Sequence, residues 1–89
     1  MGFPVLSIEA AAWLASFHLK GIGLDAISID HPTSAQLPNH RCFLSKEIVI
    51  IENMTNLAAI PSKACQLYCL PLLITGSDAA PARVVAAMP

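Results

Sequence analysis

The chain has 89 residues, of which 55% are hydrophobic and 12% are charged, and its formal net charge is −1. This length leaves no room for a second domain, and the high hydrophobicity with low net charge excludes intrinsic disorder. Five basic residues scattered among six acidic ones form no basic stripe along which a phosphate backbone could bind, so we expect no nucleic-acid partner.

The sequence gives no indication of a membrane or an export route. Its longest uncharged stretch, residues 64–77, is 14 residues long and contains Pro71, whereas a spanning helix needs about 20 apolar residues. No cationic segment precedes the first apolar one, as a secretion signal would require. The three cysteines are an odd number, and Cys65 and Cys69 lie too far apart along a predicted strand to bridge. We therefore expect reduced thiols and a cytoplasmic location.

The first half of the chain predicts a helix, a strand and a loop. Ser7 is placed to cap a helix over residues 8–19, which is rich in alanine and is followed by Gly21. Apolar residues surround this helix, including Trp13 and Phe17, so we expect burial on more than one side. Residues 21–25 predict a short strand, and residues 28–39 predict a loop because they contain two prolines and several turn formers.

The second half predicts short strands separated by turns. Asn39 is placed to cap one or two helical turns through residue 44, and residues 47–51 predict a strand covered on both faces. A helical turn is predicted for residues 53–59. Strands are predicted for residues 65–70, continuing through 72–75 with Pro71 at an edge or bulge, and for residues 83–87. The pattern indicates an α/β fold with one main helix packed on a small mixed sheet.

No strong local motif for catalysis is present: the sequence lacks a phosphate-binding glycine loop, a paired-cysteine motif and a nucleophile elbow. The most suggestive acid is Glu52, because it directly follows a predicted buried strand, where α/β sheets place ligands; it also fits as a simple strand end. His40 precedes it by twelve residues. An imidazole with a carboxylate suits Zn²⁺ or Mn²⁺, but two ligands do not hold a metal. Asp30 and His31 fit turn positions.

Seven parts of the sequence, taken in chain order, together resemble part of a known protein family. These segments are residues 2–14, 20–25 and 28–30, then His40 with Leu44, then residues 51–57, 70–72 and 76–84. In this order they resemble the carboxyl-terminal part of the kynurenine formamidase and cyclase family of metal-dependent hydrolases. The resemblance implies a swivelling β/β/α fold, of which residues 1–89 would form a single partial domain. It also implies bound zinc or manganese and hydrolysis of an amide, such as N-formylkynurenine, by metal-activated water.

In that family a histidine and a glutamate at the places of His40 and Glu52 are metal ligands, so the resemblance implies the same role here. The family's principal metal motif, His-x-Gly-Thr-His-x-Asp-x-Pro, has no counterpart in this sequence. We therefore expect the chain to be inactive alone and to need a complementary amino-terminal half or further copies of itself to complete a site for a small-molecule substrate.

Two other hypotheses remain open. In the first, the chain is a truncated, non-catalytic module that associates through the apolar surface around Trp13 and Phe17. In the second, the chain holds a complete but weak site built from Asp30, His31, His40 and Glu52. The first predicts oligomers without metal, and the second predicts metal binding by an isolated copy.

Overall fold

The computed structural model describes residues 2–61 and 64–88. Two helices, a 3-10 turn and four strands confirm the predicted α/β class. The strands form two separate pairs, one parallel and one antiparallel. The chain divides into two compact units, residues 1–55 and 56–89. Neither helix in the described residues is long and apolar enough to cross a membrane.

The first helix, α1 (Ile8–Ala15), begins where the sequence predicts. The Ser7 hydroxyl accepts a hydrogen bond from the backbone N–H of Ala10 at 3.1 Å and so caps the helix. The helix ends four residues earlier than predicted, at Ala15. The next residue is Ser16, whose hydroxyl donates a hydrogen bond to the carbonyl oxygen of Trp13. Such local side-chain bonds compete with the helix, which explains why it ends here.

The prediction that α1 is buried on more than one side is wrong for the described structure. Only Ala11 and Ala15 of this helix are buried, whereas Ile8 and Trp13 are 68% and 64% exposed. The Trp13 ring meets the Phe17 ring edge to face, with centroids 4.9 Å apart. The aromatic residues of this region therefore lie on an apolar surface and not in the core.

Unit 1 is built around a parallel strand pair. Strand β1 (Gly21–Gly23) pairs with β2 (Val49–Ile51), and Ile22 lies opposite Ile50. The connection between them contains α2 (Pro38–Ser45), which confirms the helical turns predicted there. The strand predicted for residues 47–51 is shorter than expected and is not covered on both faces, because Val49 is 57% exposed.

The core of unit 1 is small. Phe43 of α2 has no exposed surface, and Ile48, directly before β2, is 2% exposed. They form one cluster with residues of α1 and of the loop after β1: Ala11, Ala15 and Ile29. The cluster joins both helices to the parallel strands, and so it fixes the ends of those elements relative to one another.

Unit 2 is a hairpin after a 3-10 turn (Leu57–Ala59). Strands β3 (Gln66–Pro71) and β4 (Ala82–Ala87) pair antiparallel, with Tyr68 opposite Val85. Pro71 ends β3 in a two-stranded ribbon, in agreement with its predicted edge position, but the predicted continuation of the strand through residues 72–75 is wrong. No described residue of this unit is buried. An isolated two-stranded hairpin is marginally stable at best in water, so this unit has little to stabilise it by itself.

Replacing Phe43 by alanine tests the core of unit 1. We expect Phe43→Ala to lower the free energy of unfolding by about 3–5 kcal/mol, since it removes a fully buried aromatic side chain. Leu44→Ala, at a neighbouring position that is 55% exposed, is the matched control and should change it by less than about 0.5 kcal/mol. Urea unfolding followed by circular dichroism measures both values. Equal effects of the two variants would contradict the assigned core.

Candidate metal centre

The candidate site lies where the parallel pair ends. Glu52 directly follows β2, and the pairing continues past the strands through a bond from Asn53 N–H to the Ala26 carbonyl, 3.0 Å. This continuation holds the loop after β1 beside Glu52, whose Oε2 accepts a hydrogen bond from the backbone N–H of Ile29 at 3.2 Å. The carboxylate predicted to emerge at the end of a strand is therefore held at a fixed place.

Asp30 binds the amino terminus of α2. Its Oδ1 accepts from the backbone N–H of Asn39 and its Oδ2 from that of His40, both at 2.9 Å. Leu37, at the N-cap position, has a φ of 48° and makes no capping bond. The first N–H groups of a helix need acceptors and favour negative charge. Asp30 therefore does from the preceding loop what a capping side chain normally does.

The His40 ring lies between two carboxylates. Its Nδ1 is 2.8 Å from Asp30 Oδ2, and its Nε2 is 3.3 Å from Glu52 Oε2. The Asp30 side chain is 3% exposed, whereas those of His40 and Glu52 are 26% and 29% exposed. A neutral imidazole can donate a proton to only one of its two neighbours. The other nitrogen then faces an oxygen with its lone pair, which is a favourable arrangement only with a cation or a proton between the two atoms.

Asn39 ties this cluster to the rest of unit 1. It is buried, and its side-chain amide donates to the carbonyl oxygens of Leu6 and Ile29, both at 3.0 Å. The prediction that Asn39 caps the helix is wrong, because the N-cap is Leu37 and α2 begins two residues earlier than predicted, at Pro38, which suits a first helical position. With Asn39 inside the helix, its side chain points to the preceding loop and links three segments.

The structure brings together three of the four acids and imidazoles singled out in the sequence. Asp30, His40 and Glu52 are neighbours. His31 is exposed, and its Nδ1 lies 2.8 Å from the Thr33 hydroxyl, so its ring is bonded to that residue and to none of the other three. The sequence patterns did not predict that Asp30 caps α2 or that the Asn39 side chain bonds to two preceding segments. The signal available for Asp30 was an acid in the loop before a helix whose N-cap position holds leucine.

The pair formed by His40 and Glu52 fits a metal ion in its chemistry and in its spacing. Nitrogen and oxygen ligands at about 2.0–2.2 Å around tetrahedral Zn²⁺ lie about 3.3–3.5 Å from each other. The 3.3 Å between Nε2 and Oε2 matches that separation. Asp30 on the far nitrogen is the usual outer partner of a metal-binding histidine.

Within the described residues, however, no three side chains of His, Cys, Asp or Glu are arranged to hold a metal together. The hypothesis of a complete site made of Asp30, His31, His40 and Glu52 is therefore wrong for this part of the chain. Asp30 is already bonded to helix α2, and His31 lies elsewhere. The structure contains no disulfide among Cys42, Cys65 and Cys69.

Charge on Asp30 is stabilised by its partners. Burial pulls the pKa of its carboxyl upward, but the bonds from the backbone N–H groups of His40 and Asn39, and the His40 ring, together hold it below its ordinary value of 3.8. A carboxyl whose pKa is lower when folded stabilises the fold above its unfolded pKa. That stabilisation is lost as the pH falls through the lower, folded value.

We accordingly expect Asp30→Asn to destabilise unit 1 at pH 7 by about 2 kcal/mol, because a charged acceptor of three donors is lost. The difference from wild type should be constant above pH 5 and should shrink as the pH falls below 3.8. Denaturant unfolding at a series of pH values measures it. Asp25→Asn, which alters an exposed acid, is the control. A difference that persists unchanged at the lowest pH would contradict the role of this charge.

The sequence and the fold of the chain are similar to those of known proteins. No family model matches the chain. It is 35% identical over 83 residues to the kynurenine formamidase of Bordetella avium, covering 93% of this chain and 39% of that protein. It is 40% identical over 72 residues to the kynurenine formamidase of Salinibacter ruber, covering 81% of this chain and 34% of that protein.

A solved structure described as a potential metal-dependent hydrolase with cyclase activity superposes with a TM-score of 0.84 and 33% identity. The match covers 94% of this chain and 41% of that one. The predicted fold class is thereby confirmed over the matched segment. The chain spans about two fifths of the length of these relatives. Over the segment it spans, the chain is similar in sequence to kynurenine formamidases and in fold to a cyclase-like metal-dependent hydrolase.

Proposed function

We propose that this chain supplies two ligands, His40 Nε2 and Glu52 Oε2, to the metal centre of an amide hydrolase. One observation carries the proposal: these two atoms face each other at 3.3 Å while the second ring nitrogen of His40 is 2.8 Å from Asp30. That spacing suits two ligands of a bound divalent metal, and a carboxylate is a usual outer partner of a metal-binding histidine. Imidazole and carboxylate ligands suit zinc or manganese.

The proposed substrate class is a small amide, such as N-formylkynurenine, after the name of the relatives. A divalent metal at such a site supplies Lewis acidity and a water activated for attack on a carbonyl. This chain's own residues orient the ligands. Asp30 holds the His40 ring, and the Ile29 N–H holds one oxygen of Glu52. Both anchors come from one loop, so the two ligands are positioned together.

Two ligands are fewer than the three that catalytic zinc sites take from protein. We propose that the others come from a complementary amino-terminal half or from a second copy, and that the chain is inactive without them. Support comes from its coverage of about two fifths of its relatives and from its exposed apolar side chains, such as Ile8 and Trp13. A cytoplasmic location is proposed because its three cysteines are free.

A second candidate function is association without catalysis. The observation that favours it is the aromatic pair of Trp13 and Phe17, which are 64% and 47% exposed and meet edge to face. Large apolar side chains grouped at a surface mark interaction sites. In this case the chain would associate with itself or with a full-length relative and would need no metal.

Zinc titration tests the first function. The titration uses the chain assembled with the amino-terminal half of a full-length relative, which supplies the remaining ligands. We expect His40→Ala and Glu52→Gln each to lower the affinity of this assembly for Zn²⁺ at least tenfold, and the double variant to lower it further, because each change removes a ligand or its charge. The glutamine can still accept the Ile29 N–H, so it preserves the local fold. Isothermal titration calorimetry gives the affinities.

His31→Ala is the matched control for the zinc titration, since it removes an imidazole that lies outside the cluster. Its affinity should equal that of the wild type. Undiminished zinc binding by the double variant, or an equal loss with His31→Ala, would contradict the proposed ligands.

Sedimentation of the metal-free chain tests the apolar surface. We expect the wild type to associate at micromolar concentration and Trp13→Lys to weaken that association at least tenfold, because an exposed aromatic anchor is replaced by a charge. Leu44→Lys, at a position on α2 that is 55% exposed, controls for the added charge. A wild type that stays monomeric at 100-fold higher concentration would contradict an interface at this surface.

A further inference from the structure

We infer that Asp30 is a positioning residue which selects the nitrogen that His40 presents to Glu52. The inference deepens the proposed function. Only its consequence for metal binding rests on that function, because the nitrogen that carries the proton can be identified without any metal. It concerns the hydrogen bond between the Asp30 carboxylate and the His40 ring, and the protonation state that this bond imposes on the opposite nitrogen.

Asp30 is fixed more firmly than either proposed ligand. Its side chain is 3% exposed, and it accepts two backbone N–H groups of α2 in addition to the ring contact. Oδ2 alone faces both the backbone N–H of His40, at 2.9 Å, and the ring Nδ1, at 2.8 Å. One oxygen thus holds the backbone and the ring of the same residue, which restricts the rotation of the His40 side chain.

An ionised carboxylate accepts hydrogen bonds and cannot donate them. The proton between Asp30 and His40 must therefore belong to Nδ1 of the ring. In the neutral ring Nε2 then has no proton, and its lone pair points toward Glu52 Oε2 at 3.3 Å. Asp30 thereby turns the Nε2–Oε2 pair into two facing electron donors, which is what a cation needs.

The opposite assignment, in which Glu52 takes the ring proton, conflicts with the distances. A ring protonated at Nε2 would place the bare Nδ1 against Asp30 Oδ2 at 2.8 Å, a close contact between two acceptors. The contact with Glu52 is longer, 3.3 Å, and Glu52 already accepts the N–H of Ile29. The geometry therefore favours Asp30 as the partner that sets the proton.

The test is nitrogen NMR of the full chain with ¹⁵N-labelled histidine, without metal and with the ring neutral. His40→Gln identifies the His40 signals among those of the three histidines. Four forms are compared: wild type, Asp30→Asn, Glu52→Gln and, as a matched control, Asp25→Asn. The same four forms, each assembled with the amino-terminal half of a full-length relative that supplies the remaining ligands, are then titrated with ZnCl₂ by calorimetry.

We expect the wild-type ring to carry its proton on Nδ1, and Asp30→Asn to shift the proton population toward Nε2 by at least tenfold. Glu52→Gln and Asp25→Asn should leave the tautomer as in the wild type. Zinc affinity should fall 10-fold to 100-fold in Asp30→Asn, as for other outer partners of metal-binding histidines. A wild-type ring protonated on Nε2, or a tautomer that Asp30→Asn leaves unchanged, overturns the inference.

If Asp30→Asn fails to fold, the other forms still decide. A wild-type Nδ1 proton that Glu52→Gln leaves in place supports Asp30, and a tautomer that changes in Glu52→Gln overturns it. The two proposals also fail separately. A zinc affinity of the assembled protein that Glu52→Gln leaves unchanged contradicts the metal site, whereas the tautomer results stand without it.

Discussion

The carboxylate of Asp30 is the contact on which the candidate site depends. It is almost completely buried at the amino terminus of α2, where backbone N–H groups and the helix dipole favour negative charge. The same carboxylate holds the ring of His40 at 2.8 Å. Asp30 therefore both stabilises the start of α2 and orients the His40 ring. Because one residue does both, the formation of the helix and the geometry of the site are coupled.

The opposite side of the site depends on the parallel strands. Pairing of β1 with β2 continues into the loop after β1, and the N–H of Ile29 reaches Glu52. Burial of Phe43 and Ile48 fixes α2 against these strands. Asn39 joins the first segment of the chain to the same loop. The small core thus sets a distance of 3.3 Å between two side chains that lie twelve residues apart in sequence.

Part of this arrangement could be predicted from the sequence. Ser7 and the alanines after it predict the start of α1, and the position of Glu52 after β-branched residues predicts a carboxylate at a strand end. His40 was singled out as an imidazole near Glu52 in sequence, and the family resemblance implied that both are metal ligands. Other features depend on tertiary contacts that no local pattern records. Leu37 has a φ of 48°, which leucine seldom adopts, and the cap comes from Asp30 in the preceding loop. Exposure of Trp13 was also unpredictable, because periodicity shows that a residue is apolar and not what covers it.

Zinc K-edge X-ray absorption on the chain assembled with the amino-terminal half of a full-length relative and loaded with zinc tests most directly whether His40 and Glu52 are ligands. The prediction is a shell of nitrogen and oxygen donors at about 2.0–2.2 Å, from which His40→Ala removes the scattering of one imidazole. Sulfur at about 2.3 Å would place the zinc on cysteines. That result, or imidazole scattering that His40→Ala leaves unchanged, would contradict the proposed metal site.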